Sequence, residues 1–234
     1  MKEAIGGNRI NIAMDGPVGA GKSSIADEVA RRLGILHLDT GAMYRAVGLA
    51  VLRASLNPQD EEAAARICDA AEIDVRYEDG KQRTLLDGED VTPLLRTEEV
   101  SLAASAVAKW PAVRRRMVKR QQELSAVHDM LIDGRDIGTR VLPDAPVKIY
   151  LTADAKVRAE RRRLQLLQKG TAVPFDEVLR DLLLRDEQDM NRVTDPLRVA
   201  EGAIVVDSTD LTAEETVERV LSLVEACYGG RAKD

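Results

Sequence analysis

Gly16-Pro17-Val18-Gly19-Ala20-Gly21-Lys22-Ser23 decides the fold, because it fits G-x-x-x-x-G-K-[ST] between an apolar run and a helical one. Ile10–Met14 ahead of it reads as a buried strand, and Ser24–Leu33 behind it reads as an amphipathic helix. Glycines let the backbone curl until successive N–H groups converge on phosphate oxygens, and the helix that follows adds the positive end of its dipole. Gly16, Pro17, Val18, Gly19, Ala20, Gly21, Lys22, Ser23 and Ser24 are therefore the candidate triphosphate-binding residues. Lys22 is placed to reach the β- and γ-phosphates, and the Ser23 hydroxyl to ligate Mg²⁺.

Four further short apolar runs follow: Ile35–Leu38, Met130–Ile132, Val147–Leu151 and Ala203–Val206. Each is too short for a helix and is separated from the next by helical patterning. That alternation predicts an α/β fold with a five-stranded parallel sheet flanked by helices. Ligands in such folds sit beyond the carboxyl ends of the strands, and the polar clusters Asp15–Ser24, Asp39–Arg45 and Asp133–Asp136 all fall there. One segment breaks the rhythm. Ile73–Tyr77 and Thr84–Leu86 read as a hairpin turning at Asp79-Gly80, within an insertion from about Asn57 to Ala104. Leu164–Phe175 is polar, contains Gly170 and Pro174, and lies between arginine-bearing helices, as a mobile lid would. The ends, Met1–Asn8 and Gly229–Asp234, are expected to fray.

With 234 residues and 44% hydrophobic content the chain can bury a sizeable core. No apolar run nears the roughly 18 residues that span a bilayer, and Met1–Arg9 lacks the apolar stretch of a signal peptide, so a cytoplasmic protein without membrane contact is expected. Cys68 and Cys227 sit in amphipathic stretches with only His37 and His128 as metal-binding companions, which favours structural thiols. The net charge is −6, yet arginines cluster at 114–116 and 161–163. This suits a protein that handles small anions better than one that coats nucleic acid, as do the few aromatics. Nothing demands more than a monomer.

A phosphate loop implies a triphosphate but not its fate. Arg45 opens the helix after the second strand and can grip an acceptor's phosphate through two parallel N–H bonds, though a surface arginine paired with a carboxylate fits the same spacing. Asp133 ends the third strand, where a carboxylate can hold Mg²⁺ or its waters, and Arg135 and Asp136 follow in a glycine-loosened turn. Arg185, Asp189 and Arg192 are spaced i, i+4, i+7 on one helix face, which by itself equally describes a solvated salt-bridge ladder. Arg158 and Arg161–Arg163 precede the lid, where arginines can enter on closure and stabilise a transferring phosphoryl group. Three consecutive helical residues cannot all face one site.

Taken together, Asp15–Ser23, Leu38–Arg45, Asp133–Thr139 and Pro143–Leu151 resemble the bacterial cytidylate kinases, a P-loop nucleoside monophosphate kinase family, over about Ile10 to Val224. The resemblance implies transfer of the γ-phosphoryl group of ATP to CMP or dCMP with Mg²⁺. It also implies a P-loop core of residues 9–39, 105–157 and 180–228. A nucleoside-monophosphate-binding region of residues 40–104 would carry the hairpin-containing insertion, and residues 158–179 would form the lid. By position, Thr40, Arg45, Arg135 and Arg185 would hold the acceptor's phosphate and neighbouring groups. Ser105, Arg114 and Asp136 would read cytosine, and Asp189 with Arg185 would bind ribose. Lys22, Arg158, Arg162 and Arg192 would be catalytic, with Ser23 and Asp133 at the metal. Thr40 stands where family members commonly carry serine. The rivals are a P-loop kinase for another small acceptor, such as AMP, UMP or shikimate, and a nucleotide-switched binding protein.

Overall fold

A computed structural model describes residues 9–168 and 170–229. The expected frayed ends lie outside these residues, except Gly229, which is the last residue of a helix. All five predicted strands are present: β1 Asn11–Asp15, β2 Leu36–Asp39, and, after a hairpin segment, β6 Met130–Gly134, β7 Val147–Thr152 and β8 Ile204–Asp207. Each ends one or two residues later than its apolar run. Ladder hydrogen bonds come from the backbone, so a terminal Asp or Gly extends a strand that hydrophobicity alone would end. The sheet is parallel throughout in the order β2-β6-β1-β7-β8.

Side chains alternate between two cores. Ala13, Leu38, Met130 and Ile132 face one that includes α2 Thr40–Arg53, α4 Glu98–Val107 and α5 Pro111–Val127. Ile12, Met14, Leu131 and Ile149 face another formed with α1 Lys22–Leu33 and α8 Ala213–Gly229. Burial on both faces explains why the strands read as unbroken apolar runs.

The insertion begins with α3 Glu61–Ala70 and continues as an antiparallel sheet, β3 Ile73–Glu78, β4 Lys81–Leu86 and β5 Glu89–Asp90. The predicted turn at Asp79-Gly80 has positive φ at both residues, 51° and 75°. A second Asp-Gly pair, Asp87-Gly88, makes the same kind of turn into β5, a strand too short to show alternation. Gln82 on β4 fastens this sheet to the core, since its Oε1 accepts from the Asp39 amide at 2.8 Å and its Nε2 donates to the Asp39 carbonyl at 3.3 Å.

The remaining helices, α6 Ala155–Gln168 and α7 Phe175–Met190, form a hairpin seated on Val18 of the phosphate loop. The polar excursion expected from Leu164 is thus helical as far as Gln168. The division expected at 104/105 falls within α4, and the one at 179/180 within α7. Among the described residues no helix is long and apolar enough to cross a membrane.

Candidate active site

Asp133 lies opposite Asp39 in one parallel pair and opposite Met14 in the other. That register gathers the loop after β1, the start of α2 and the turn after β6 around one cleft of about 390 Å³, large enough for a small molecule. Gly16 is demanded by the sheet, because its φ is 149° and a Cβ would stand 2.0 Å from the Leu151 carbonyl oxygen on β7. Val18, Gly19, Gly21, Lys22, Ser23 and Ser24 line the cleft. Gly16 and Pro17 lie behind them and offer their carbonyls to Lys22 Nζ at 2.8 and 2.7 Å, while Ala20 is buried in the core. Burial, assisted by Arg135, lowers the Lys22 ammonium to about 7 against the pull of Asp133, Asp189 and Asp15. The Ser23 hydroxyl donates to Asp133 Oδ2 at 2.7 Å. Burial opposes charge on Asp133, but His37, Lys22 and Ser23 outweigh it and keep this carboxyl below the ordinary range.

The arginines differ sharply in what they touch. Arg45 donates to Asp39 Oδ2 at 2.8 Å, and Asp39 caps α2 by accepting from the Ala42 amide at 3.0 Å. Arg135 donates from Nε to Asp189 Oδ2 at 2.7 Å. Arg114, 1% exposed, pairs with Asp136, donates from Nε to Asp195 Oδ2 at 2.9 Å, and lies over the Tyr44 ring. Ser105 on α4 lines the cleft, its hydroxyl donating to the Ser101 carbonyl at 3.2 Å. Arg162 and Arg185 face the same cleft and make no hydrogen bond or ion pair among the described residues. Burial and the neighbouring Arg135 and Arg162 lower the Arg185 pKa, the mark of a guanidinium that lacks a carboxylate of its own.

The cytidylate kinase family profile matches residues 12–226. A cytidylate kinase of Caldicellulosiruptor bescii is 52% identical over 215 residues, covering 92% of this chain and 95% of that protein. One of Mycolicibacterium paratuberculosis is 47% identical, covering 91% and 94%. The chain belongs to the cytidylate kinase family. Its fold is also similar to that of an uncharacterized protein from Eubacterium ventriosum, with TM-score 0.53 and 10% identity, over 93% of this chain and 99% of that one.

In this member of the cytidylate kinase family three candidate residues have positions or partners that their sequence spacing did not show. Arg158 does not line the cleft. It is 6% exposed and donates from Nη1 to Asp186 Oδ2 at 2.6 Å and to the Val18 carbonyl at 2.8 Å, while Asp186 Oδ1 accepts from the Val18 amide at 3.1 Å. Sitting one turn nearer the sheet than Arg162, it clamps the loop from behind. Arg161 and Arg163 are likewise engaged, with Ser208 and Leu211 and with Glu160. Arg192 does reach the cleft, but from beyond the end of α7 at Met190, so it does not share a helix face with Arg185 and Asp189. It donates to the Thr194 carbonyl at 2.8 Å and to that of Asp195, and stands 3.8 Å from Asp136. Thr40 lines the cleft, yet its hydroxyl proton is given to the Asp133 carbonyl at 2.7 Å.

Several residues of the site escaped sequence reasoning. Tyr44, Arg96 and Lys109 line the cleft, and the Tyr44 hydroxyl is buried without a hydrogen-bond partner. Asp15 precedes the phosphate-loop motif, and its two oxygens accept from the Ile137 and Gly138 amides at 2.7 Å each and fix the turn that carries Asp136. Its position directly before Gly16 was the available signal. Burial raises its carboxyl from an ordinary 3.8 to about 6.

Proposed function

We propose that this cleft transfers the γ-phosphoryl group of ATP directly to the 5′-phosphate of CMP or dCMP, yielding ADP and CDP or dCDP. The observation that carries the reading is the charge of the cleft. Nine lysines and arginines line it against four aspartates, in a chain whose net charge is −6. Such a surplus is costly unless anions answer it, and a triphosphate facing a monophosphate supplies them.

Backbone N–H groups of Gly19–Ser23 and the start of α1 cradle the donor's phosphates, with Lys22 on the β- and γ-oxygens. Arg45 and Arg135 hold the acceptor's phosphate. That phosphate is itself the nucleophile and an anion near neutral pH, so no general base is required. Arg162 from α6, with Arg185 and Arg192, meets the charge that develops on the transferring group. Asp136 accepts from the cytosine N4 amino group, while Arg114 and Ser105 donate to N3 and O2. Uracil would turn a carbonyl toward that carboxylate and bind less well. Asp189 with Arg185 takes the ribose.

Ser23 Oγ and Asp133 Oδ2 lie 2.7 Å apart at the mouth of the loop, two hard oxygen donors of the kind that hold Mg²⁺ when phosphates and water complete its shell. Held there, the ion would supply positive charge to offset that of the phosphates. Residues 40–104 serve the acceptor, residues 158–179 act as the lid, and residues 9–39, 105–157 and 180–228 form the donor-binding core. The protein is read as a monomer working in the cytoplasm. ADP release measured over CMP, dCMP, UMP, AMP and shikimate tests the assignment. CMP and dCMP are expected to stand well above the rest, and a preference for AMP or acceptor-independent hydrolysis would overturn it.

A further inference from the structure

His37 has no role in the reaction as described, yet it stands directly behind it. It lies on β2, 6% exposed, between carboxylates contributed by two other elements. Nδ1 is 2.5 Å from Asp27 Oδ1 on α1, and Nε2 is 3.6 Å from Asp133 Oδ1 on β6. Nε2 is buried and makes no hydrogen bond, so the ring is oriented by Asp27 and aimed at Asp133. The other oxygen of Asp133, Oδ2, accepts from Ser23 at 2.7 Å. The two oxygens of this carboxylate therefore face different ways, one toward an imidazole inside the fold and one toward the cleft.

We propose that His37 is a positioning residue for phosphoryl transfer: held by Asp27, it keeps Asp133 Oδ1 turned into the protein, so that Oδ2 stays directed at Ser23 and at the divalent cation accompanying the triphosphate. The inference rests on the reading of Ser23 and Asp133 as the metal-holding pair. A free carboxylate rotates about its last torsion and can present either oxygen or both. Fixing one oxygen from behind removes that freedom before the cation arrives. Packing alone does not call for this arrangement. An aliphatic side chain would fill the space between α1 and β6 without burying an unpartnered nitrogen, whereas here both ring nitrogens face carboxylates. Groups standing behind a metal ligand generally act in this way, and losing one costs about 10–100-fold in metal affinity or activity.

Calorimetric titration of ATP without acceptor, from zero to saturating Mg²⁺, tests the inference on the full chain as wild type, Asp27→Asn, His37→Leu and Asp133→Asn. ATP alone is expected to bind wild type, Asp27→Asn and His37→Leu equally. The Mg²⁺ concentration that gives half of the metal-dependent gain should rise about 10-fold in His37→Leu and by a smaller factor in Asp27→Asn. The Asp27 side chain is 71% exposed and outside the cleft, so Asp27→Asn decides the matter by itself if His37→Leu does not fold. Wild-type Mg²⁺ dependence in the folded variants overturns the proposal. So does an equal loss of affinity with and without Mg²⁺, which is what a purely structural disturbance produces. Asp133→Asn separates the two levels. If it leaves the Mg²⁺ dependence unchanged, the metal pair is misassigned and the inference falls with it. If it alone moves that dependence, only the role of His37 fails.

Discussion

Four positions separate Arg158 from Arg162 on α6, and that single turn decides which guanidinium has a carboxylate of its own. Arg158→Ala would leave Asp186, 5% exposed, as a buried charge without its cation, and would release the Val18 carbonyl as well. Denaturant unfolding should show a loss of about 3–5 kcal/mol. Arg162→Ala removes a cation with no hydrogen-bond or ion-pair partner among the described residues, so its melting temperature should match wild type while kcat falls about 10²-fold or more. Equal effects on stability from the two substitutions would refute this division. Asp15 has a different signature. Its folded carboxyl titrates at about 6 against an ordinary 3.8, so between those values the folded chain keeps a proton that the unfolded chain has released. Its contribution to stability is full below 3.8 and is lost as pH rises through 6. The stability of wild type relative to Asp15→Asn should therefore fall between pH 4 and pH 6, and a flat difference would show that the carboxyl is not shifted.

Among elements, α2 and α4, which carry the proposed acceptor residues Arg45 and Ser105, meet at Gly48, where a Cβ would stand 2.8 Å from the Ala104 amide nitrogen. Gly48→Ala must push the helices apart, at about 1–3 kcal/mol. Because α4 bears Ser105, the KM for CMP should rise more than the KM for ATP, and steady-state kinetics with each substrate varied would read the difference. Elements with a strong local signal were legible in the sequence. The five strands showed as apolar runs, and the Asp79-Gly80 hairpin as alternation about a turn pair. The Asp87-Gly88 turn carried the same dipeptide and was missed, because a two-residue strand offers no pattern to confirm it. The turn of π-helix at Ile137–Val141 had no periodic signal at all, since it is held by Asp15 from another strand. The end of α7 was overrun in the same way, as charge spacing continues past Met190 although the helix does not.

For the whole molecule, the cleft joins surfaces of the sheet edge, the insertion and the α6–α7 hairpin, and the uncompensated arginines lie on the last of these. Closure around two anionic substrates should therefore contract the particle. Small-angle scattering with CMP plus a non-hydrolysable ATP analogue is expected to give a smaller radius of gyration than either nucleotide alone, and an unchanged value would rule out the closure. The glycine loop, the order of strands and helices, and the residues after β1, β2 and β6 were determined by the sequence itself. Each depends on backbone preferences and side-chain periods that act within a few positions. Which arginine is tied into the fold and which is left facing the cleft was decided only by the tertiary structure. A guanidinium is committed by whichever carboxylate or carbonyl the fold brings to it, and those lie 28 positions away for Arg158 and Asp186 and 140 for Arg158 and Val18. Ser23 meets Asp133 across 110 positions for the same reason, as the parallel sheet sets distant strand ends side by side.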